Sequence, residues 1–172
     1  MKKHIFLSCL SVSLISCGPS SKEAIFYNDG IMEIVNKVTV AQNNFFDQTD
    51  GHNIDSLVIC QKLYAQKSKE SLDEIAKLNA FDNKTGYLDA AKVFVNTLNS
   101  LANNEAKQMV EIMMKDSASV TELDIKTVSD LSDKLNKETD EATKLIEDAQ
   151  QQFVKEWKFE LDHNHDKKHH KH

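Results

Sequence analysis

The chain has 172 residues with 21 lysines against 27 acidic side chains, a formal charge of −6 at pH 7, and no arginine. That balance excludes an ordinary nucleic-acid binder, which needs basic side chains for the phosphates. The missing guanidinium fork weakens the case for a nucleotide, sugar-phosphate or acidic-ligand site. Proline occurs once, at Pro19, and glycine four times. So few breakers, with no run of period-two alternation, suit long helices and not a sheet.

Met1-Lys2-Lys3-His4 is a short basic start, and Ile5 to Ile15 is an apolar run broken only by Ser8, Cys9, Ser11 and Ser13. It is too short to span a bilayer, which takes about 20 residues, and has the proportions of a secretory leader. Leu14-Ile15-Ser16-Cys17 closes the run and resembles the lipobox of bacterial lipoproteins. The resemblance implies a signal peptide of residues 1–16 and a Cys17 that takes a diacylglyceryl thioether and a further acyl chain such as palmitate. Three chains exceed the two signals that stable anchoring requires. Cys9 has only Ile5, Phe6 and Leu7 ahead of it as an apolar core, too little for the same role. The competing reading is an ordinary leader with Cys17 a bystander. Gly18 follows the cysteine where inner-membrane lipoproteins often carry aspartate. By that analogy the destination is the outer membrane or cell surface, in an organism with two membranes. Removing residues 1–16 leaves 156 of the 172; two lysines and no acid depart, so −6 becomes −8. The expected organisation is a leader at 1–16, a lipid-anchored helical domain at 17–161, and a His/Lys-rich tail at 162–172.

Gly18-Pro19-Ser20-Ser21 reads as a short tether, and its Ser20 forms a Ser-x-x-Glu capping box with Glu23. Ala24, Tyr27, Ile31, Ile34, Val38, Ala41 and Phe45 then recur at alternating spacings of three and four. This is the seam of a helix over about 21–48 that faces other helices. Gly30, inside it, predicts a close neighbour or a slight bend. Thr49 to Asn53 is a turn cluster whose Asp50-Gly51 pair suits a left-handed position. A second helix runs to about Asn79 through Leu57, Cys60, Tyr64, Ser71, Ile75 and Leu78, with Leu63 and Leu72 widening the stripe and Lys67-Ser68-Lys69-Glu70 loosening it. Ala80 to Gly86 is a second turn.

A third helix is expected from there to about Lys115, with Leu88, Ala91, Val95, Leu98, Ala102, Met109 and Met113 on one side, and Ala91, Ala102 and Ala106 admitting a close neighbour. Met109, Met113 and Met114 read as core filler. Asp116 to Ser119 is a third turn, and Ser119 with Glu122 repeats the capping box. The fourth helix, about 120–160, is long enough to predict a break, a separate first turn or an overhang; a break would fall near Leu123-Asp124-Ile125-Lys126, where its stripe changes phase. Beyond it Val128, Leu131, Leu135, Ala142, Leu145, Ala149 and Phe153 form the inner face.

Four helices joined by short turns predict an all-α fold, an antiparallel up-down four-helix bundle. That topology gathers Phe26, Tyr27, Phe81, Tyr87, Phe153, Trp157 and Phe159 at the end that carries the tether. Rings there close a bundle end or, in the functional reading, form an amphipathic lip against lipid headgroups. The lipobox followed by Tyr27-Asn28-Asp29-x-Ile31 and a long heptad helix resembles small helical bacterial surface lipoproteins of unknown function. The resemblance implies location and fold and supplies no catalytic residue.

Cys60 is the one thiol left once Cys9 is removed and Cys17 lipidated, so no internal disulfide is expected and a small buried hydrophobe is. No catalytic site is expected: no His on a predicted helix face is placed to activate a nucleophile or hold haem or a di-iron pair. The one ligand-rich stretch is the tail, with His163, His165, His169, His170 and His172 among Asp162, Asp166 and lysines. Neutral imidazoles accept Zn²⁺, Ni²⁺ or Cu²⁺, and such a tract collects metal loosely without a preformed cage. The leading expectation is a membrane-anchored, non-catalytic interaction or structural module without a cofactor, whose partners are the membrane and another envelope or surface protein. The alternative is an envelope metal-binding protein that uses the tail. Calorimetric titration of Zn²⁺ into the full chain and into a chain ending at Leu161 separates them. A metal tail loses its binding on truncation; equal affinities rule the tail out.

Overall fold

The computed structural model describes residues 18–49, 51 and 53–161. Among these the chain is all-helical, with no strand beyond an isolated Phe81–Lys84 bridge. The helices are α1 (Ser21–Thr49), α2 (Ile54–Ile75), α3 (Gly86–Asn103), α4 (Glu105–Met113) and α5 (Glu122–Trp157), with a short 3₁₀ turn at Ser117–Ser119. α1 lies against α2, α2 against α3, and α3 and α4 against α5; α1 meets α3 across the core and touches α5 least.

α1 forms where expected and for the expected reason. The Ser20 backbone N–H donates to the Glu23 carboxylate at 2.7 Å, and the Glu23 N–H returns a bond to the Ser20 hydroxyl at 3.3 Å. Ala24, Ile31, Ile34, Val38, Ala41 and Phe45 are all buried, with Tyr27 half-buried beside them. Gly30 does not mark a close neighbour, since a Cβ built there meets nothing within 4 Å. α2 is capped by the Asn53 side chain, which accepts from the Ser56 N–H at 3.1 Å. It ends at Ile75, earlier than Asn79, because the Lys77 and Leu78 N–H groups bond three residues back and tighten the chain out of the helix. The Ser-rich middle of α2 is not loose. Ser68 and Ser71 are fully buried, and the Ser71 hydroxyl donates to the Ile34 carbonyl at 3.1 Å. Leu63 departs from the predicted stripe and is 46% exposed.

The α2–α3 turn uses left-handed backbone at Asp82 and Asn83, where short polar side chains tolerate it, and closes with the Lys84 N–H on the Phe81 carbonyl at 2.9 Å. The single third helix expected to Lys115 is two. At Asn104 the backbone turns to φ −112°, ψ −77°, while the Asn103 and Asn104 side-chain amides donate back to the carbonyls of Asn99 and Ser100. Such side chains compete with the helix for its own acceptors. The bend brings Glu105 inward to pair with Lys134 of α5. Ala91, Ala102 and Ala106 are fully buried, as small residues between close helices should be. Met109 is buried, but Met114 is 59% exposed and does not fill the core.

α5 is one unbroken helix of 36 residues, about 54 Å at 1.5 Å per residue. The break expected at Leu123-Asp124-Ile125-Lys126 is absent. The stripe changes phase because this first turn reaches no core: Leu123 and Ile125 are 72% and 64% exposed. Further along, Ile146 is buried and Leu145 is not, a correction of one position to the inner face. The cap also differs. Ser119 spends its hydroxyl on the Asp116 carbonyl, and the capping box is Thr121 with Asp124.

Lys115 on the far side of the turn bonds the Asp124 carboxylate at 2.6 Å. This bond, followed by those from the Thr121 N–H and hydroxyl, pulls the Asp124 pKa down to about 2 from its ordinary 3.8. A depressed carboxyl stabilises the fold above its unfolded pKa and loses that contribution as pH falls through the folded one. The α5 N-terminus should therefore hold at neutral pH and fray between about pH 4 and pH 2. Carboxyl-carbon NMR should give Asp124 a midpoint near 2. Asp124→Asn should increase amide exchange in the first turn of α5 at neutral pH, where the wild type is protected.

Candidate functional site

Two features of this fold offer themselves for function: the end where α1 begins, and the outer furrow between α1 and α2. At the first, the Ser21 hydroxyl of α1 donates to the Trp157 carbonyl at the last residue of α5, at 2.7 Å. Tyr27 donates to the Asn79 carbonyl at 2.9 Å, which ties α1 to the chain after α2. Lys158 adopts a left-handed conformation, and the Phe159 N–H bonds the Val154 carbonyl, so the chain folds back over the helix end.

Phe153 is the hub of the rings gathered there. It lies 5.1 Å from Tyr87, 5.5 Å from Phe81, 5.8 Å from Tyr27 and 6.0 Å from Phe159, centroid to centroid. Phe81 meets Trp157 edge-on at 4.8 Å. Lys84 sits 5.6 Å from the Trp157 ring and pairs with Glu156. Offset and edge-on ring pairs add about 0.5–1.5 kcal/mol each beyond area burial. Six of the seven aromatic residues expected at this end are thus bound into one another. The exception is Phe26, 66% exposed, with the Lys22 ammonium 5.9 Å from its ring. Phe26 faces outward because the seam positions Ala24, Tyr27 and Ile31 take the inward side of α1.

Beneath the rings lies a polar junction that periodicity does not reveal. The Asn28 side-chain oxygen accepts from the Tyr87 hydroxyl at 3.0 Å and from the Gln150 amide at 2.8 Å. Burial raises the Tyr87 pKa above its ordinary value, so the hydroxyl stays protonated and donates. Halfway along, the Gln42 amide donates to the Thr139 hydroxyl at 2.7 Å, and the Gln61 amide donates to the Ala102 carbonyl at 2.9 Å. Thr139, set among the apolar positions of α5, supplies the acceptor for Gln42.

The second feature is an open furrow of about 850 Å³ between the C-terminal half of α1 and α2. Val40, Ala41, Cys60 and Leu63 supply its apolar wall, and Glu33, Asp47, Glu70 and Glu74 stand along it with Lys37 and Lys67. Cys60, expected to be buried, is half-buried on this wall and is a free thiol. Leu63 and Val40 were legible as apolar, but only their exposure marks them as a surface.

Cys17 and the tail histidines His163, His165, His169, His170 and His172 lie outside the described residues, as do Asp50 and His52. Among the described residues no three His, Cys, Asp or Glu side chains are grouped to hold a metal ion. No helix among them is long and apolar enough to cross a membrane. Compared with protein-family models, with curated proteins and with solved structures, the chain matches none.

The two kinds of ring at the α1 end should separate on mutation. Phe153→Ala should cost about 3–5 kcal/mol and shift Trp157 emission to the red as its neighbours loosen. Phe26→Ala should change stability by less than about 0.5 kcal/mol and leave the emission in place. Urea unfolding followed by tryptophan fluorescence measures both.

Proposed function

We propose that the protein is a lipid-anchored lipoprotein of a bacterial envelope, a non-catalytic interaction or structural module held at the membrane through Cys17. In this reading residues 1–16 are removed, and the helices form an antiparallel up-down four-helix bundle with the α1 end toward the bilayer. The observation that carries it is the brevity of the tether. Only Gly18, Pro19 and Ser20 separate Cys17 from the first residue of α1. Four residue steps reach at most about 14 Å. A cysteine lipidated there would hold the ring-closed end of the fold close to the headgroups.

Because six of the seven rings at this end are bound into one another and Phe26 alone among them stands exposed, the end itself offers little apolar surface to the bilayer. Anchoring would rest on the acyl chains, each buried CH₂ adding about 0.8 kcal/mol. Gly18, in place of aspartate, supports an outer-membrane or cell-surface destination. The far half of the fold, with its furrow, would then stand away from the bilayer and be available to another envelope or surface protein.

Metabolic labelling with a palmitate analogue should mark the wild-type chain, and Cys17→Ser should abolish the label and release the protein from membranes. A wild-type chain that stays unlabelled would sink the reading.

A further inference from the structure

We infer that the α1–α2 furrow is a docking groove for an amphipathic helix with a basic flank, supplied by another protein. The inference rests on the interaction-module reading and names the chemistry of its partner. The lining runs from Glu33 to Gln48 on α1, about 22 Å at 1.5 Å per residue, roughly four turns of a guest helix. Its apolar wall is exposed where a lone bundle gains nothing from exposure: Val40 is 58% and Leu63 46% accessible. Ile59, one turn before Leu63 and 57% exposed, extends the strip. Two helices lying side by side with an open apolar strip between them offer a third helix the ridges and grooves it needs.

The charges select the guest. Four carboxylates stand along the groove against two ammonium groups. Both lysines are already engaged: Lys37 bonds Glu74 at 2.8 Å and Glu33 at 3.4 Å, and Lys67 bonds Glu70 at 2.7 Å. The net charge is therefore negative: Glu33, its side chain 73% exposed, has only a share of Lys37, and Asp47 is in no ion pair among the described residues. A guest with lysine or arginine flanking its apolar face completes these carboxylates; an acidic guest is repelled. The same surplus disfavours an anionic lipid surface.

The test uses the mature chain in zwitterionic nanodiscs, or in buffer if palmitate labelling fails, so the groove is judged apart from the anchor. The probe is a fluorescent 18-residue helical peptide with leucine on one face and lysine on the other; its counterpart carries glutamate for lysine. The lysine peptide should bind, slow maleimide modification of Cys60, and lose about tenfold or more in affinity with Leu63→Ser. Leu145→Ser is the control, since Leu145 is equally exposed at 46% but lies on α5 outside the groove. Glu33→Gln with Asp47→Asn should weaken binding and flatten its salt dependence. Equal binding of the glutamate peptide, equal losses from the two leucine changes, or an unchanged Cys60 rate would each overturn the proposal. So would sedimentation showing a dimer that Leu63→Ser dissolves, which would make the groove a self-association surface.

Discussion

The side-chain oxygen of Asn28 holds three helices in register. It sits on α1, accepts one hydrogen bond from Tyr87 of α3 and another from Gln150 of α5, and is itself buried. Apolar seams alone let helices slide by a turn at little cost, because one leucine replaces another. A buried amide that loses its donors costs about 1–3 kcal/mol, so a slipped register is penalised where a matched one is not. Other buried polar side chains repeat the device along the core, while the buried Tyr64 hydroxyl has no partner among the described residues. Gln42 finds Thr139, Gln61 finds the Ala102 carbonyl, Ser71 finds the Ile34 carbonyl, and Glu105 finds Lys134. Together they specify which residue faces which.

From that register the two ends of the fold acquire different characters. Tyr87, fixed by Asn28, stands under Phe153, and Phe153 gathers the remaining rings. The end where α1 begins is therefore closed by aromatic mass. The opposite end is plainer and more exposed: α5 begins beyond the core with Leu123 and Ile125 in solvent, and its cap is held by Lys115 reaching across the turn. Between the ends, the outer side of α1 and α2 keeps an apolar strip that none of the described helices covers. Exposed ion pairs such as Lys69–Asp73 and Lys107–Glu111 add little to stability and serve chiefly to keep the outer faces soluble.

In the proposed reading the asymmetry bears on function, because a tethered protein presents only one side to its surroundings. In the proposed orientation the ring-closed end faces the bilayer and the furrow opens on the flank of the far half. A surface that meets another protein has to combine apolar area with a charge pattern that rejects wrong partners. The furrow between α1 and α2 has both, and the ring cluster has neither, since its faces are spent on one another.

The heptad seam of α1, the caps at Ser20 and Asn53 and the buried alanines of α3 and α4 are legible in the chain itself, because period and cap chemistry are local properties. Where two local solutions compete, the chain does not choose between them. Ser119-x-x-Glu122 reads as the cap from its spacing, but the box forms at Thr121 and Asp124, whose carboxylate Lys115 also bonds across the turn. Leu145 and Ile146 are both apolar, and only the neighbours of α5 decide that Ile146 goes inward. The bend at Asn104, the outward turn of Phe26 and the open strip at Val40 and Leu63 belong to the same class. Helical period tells which face is apolar, but burial depends on what lies opposite, and that is settled only when the other helices arrive.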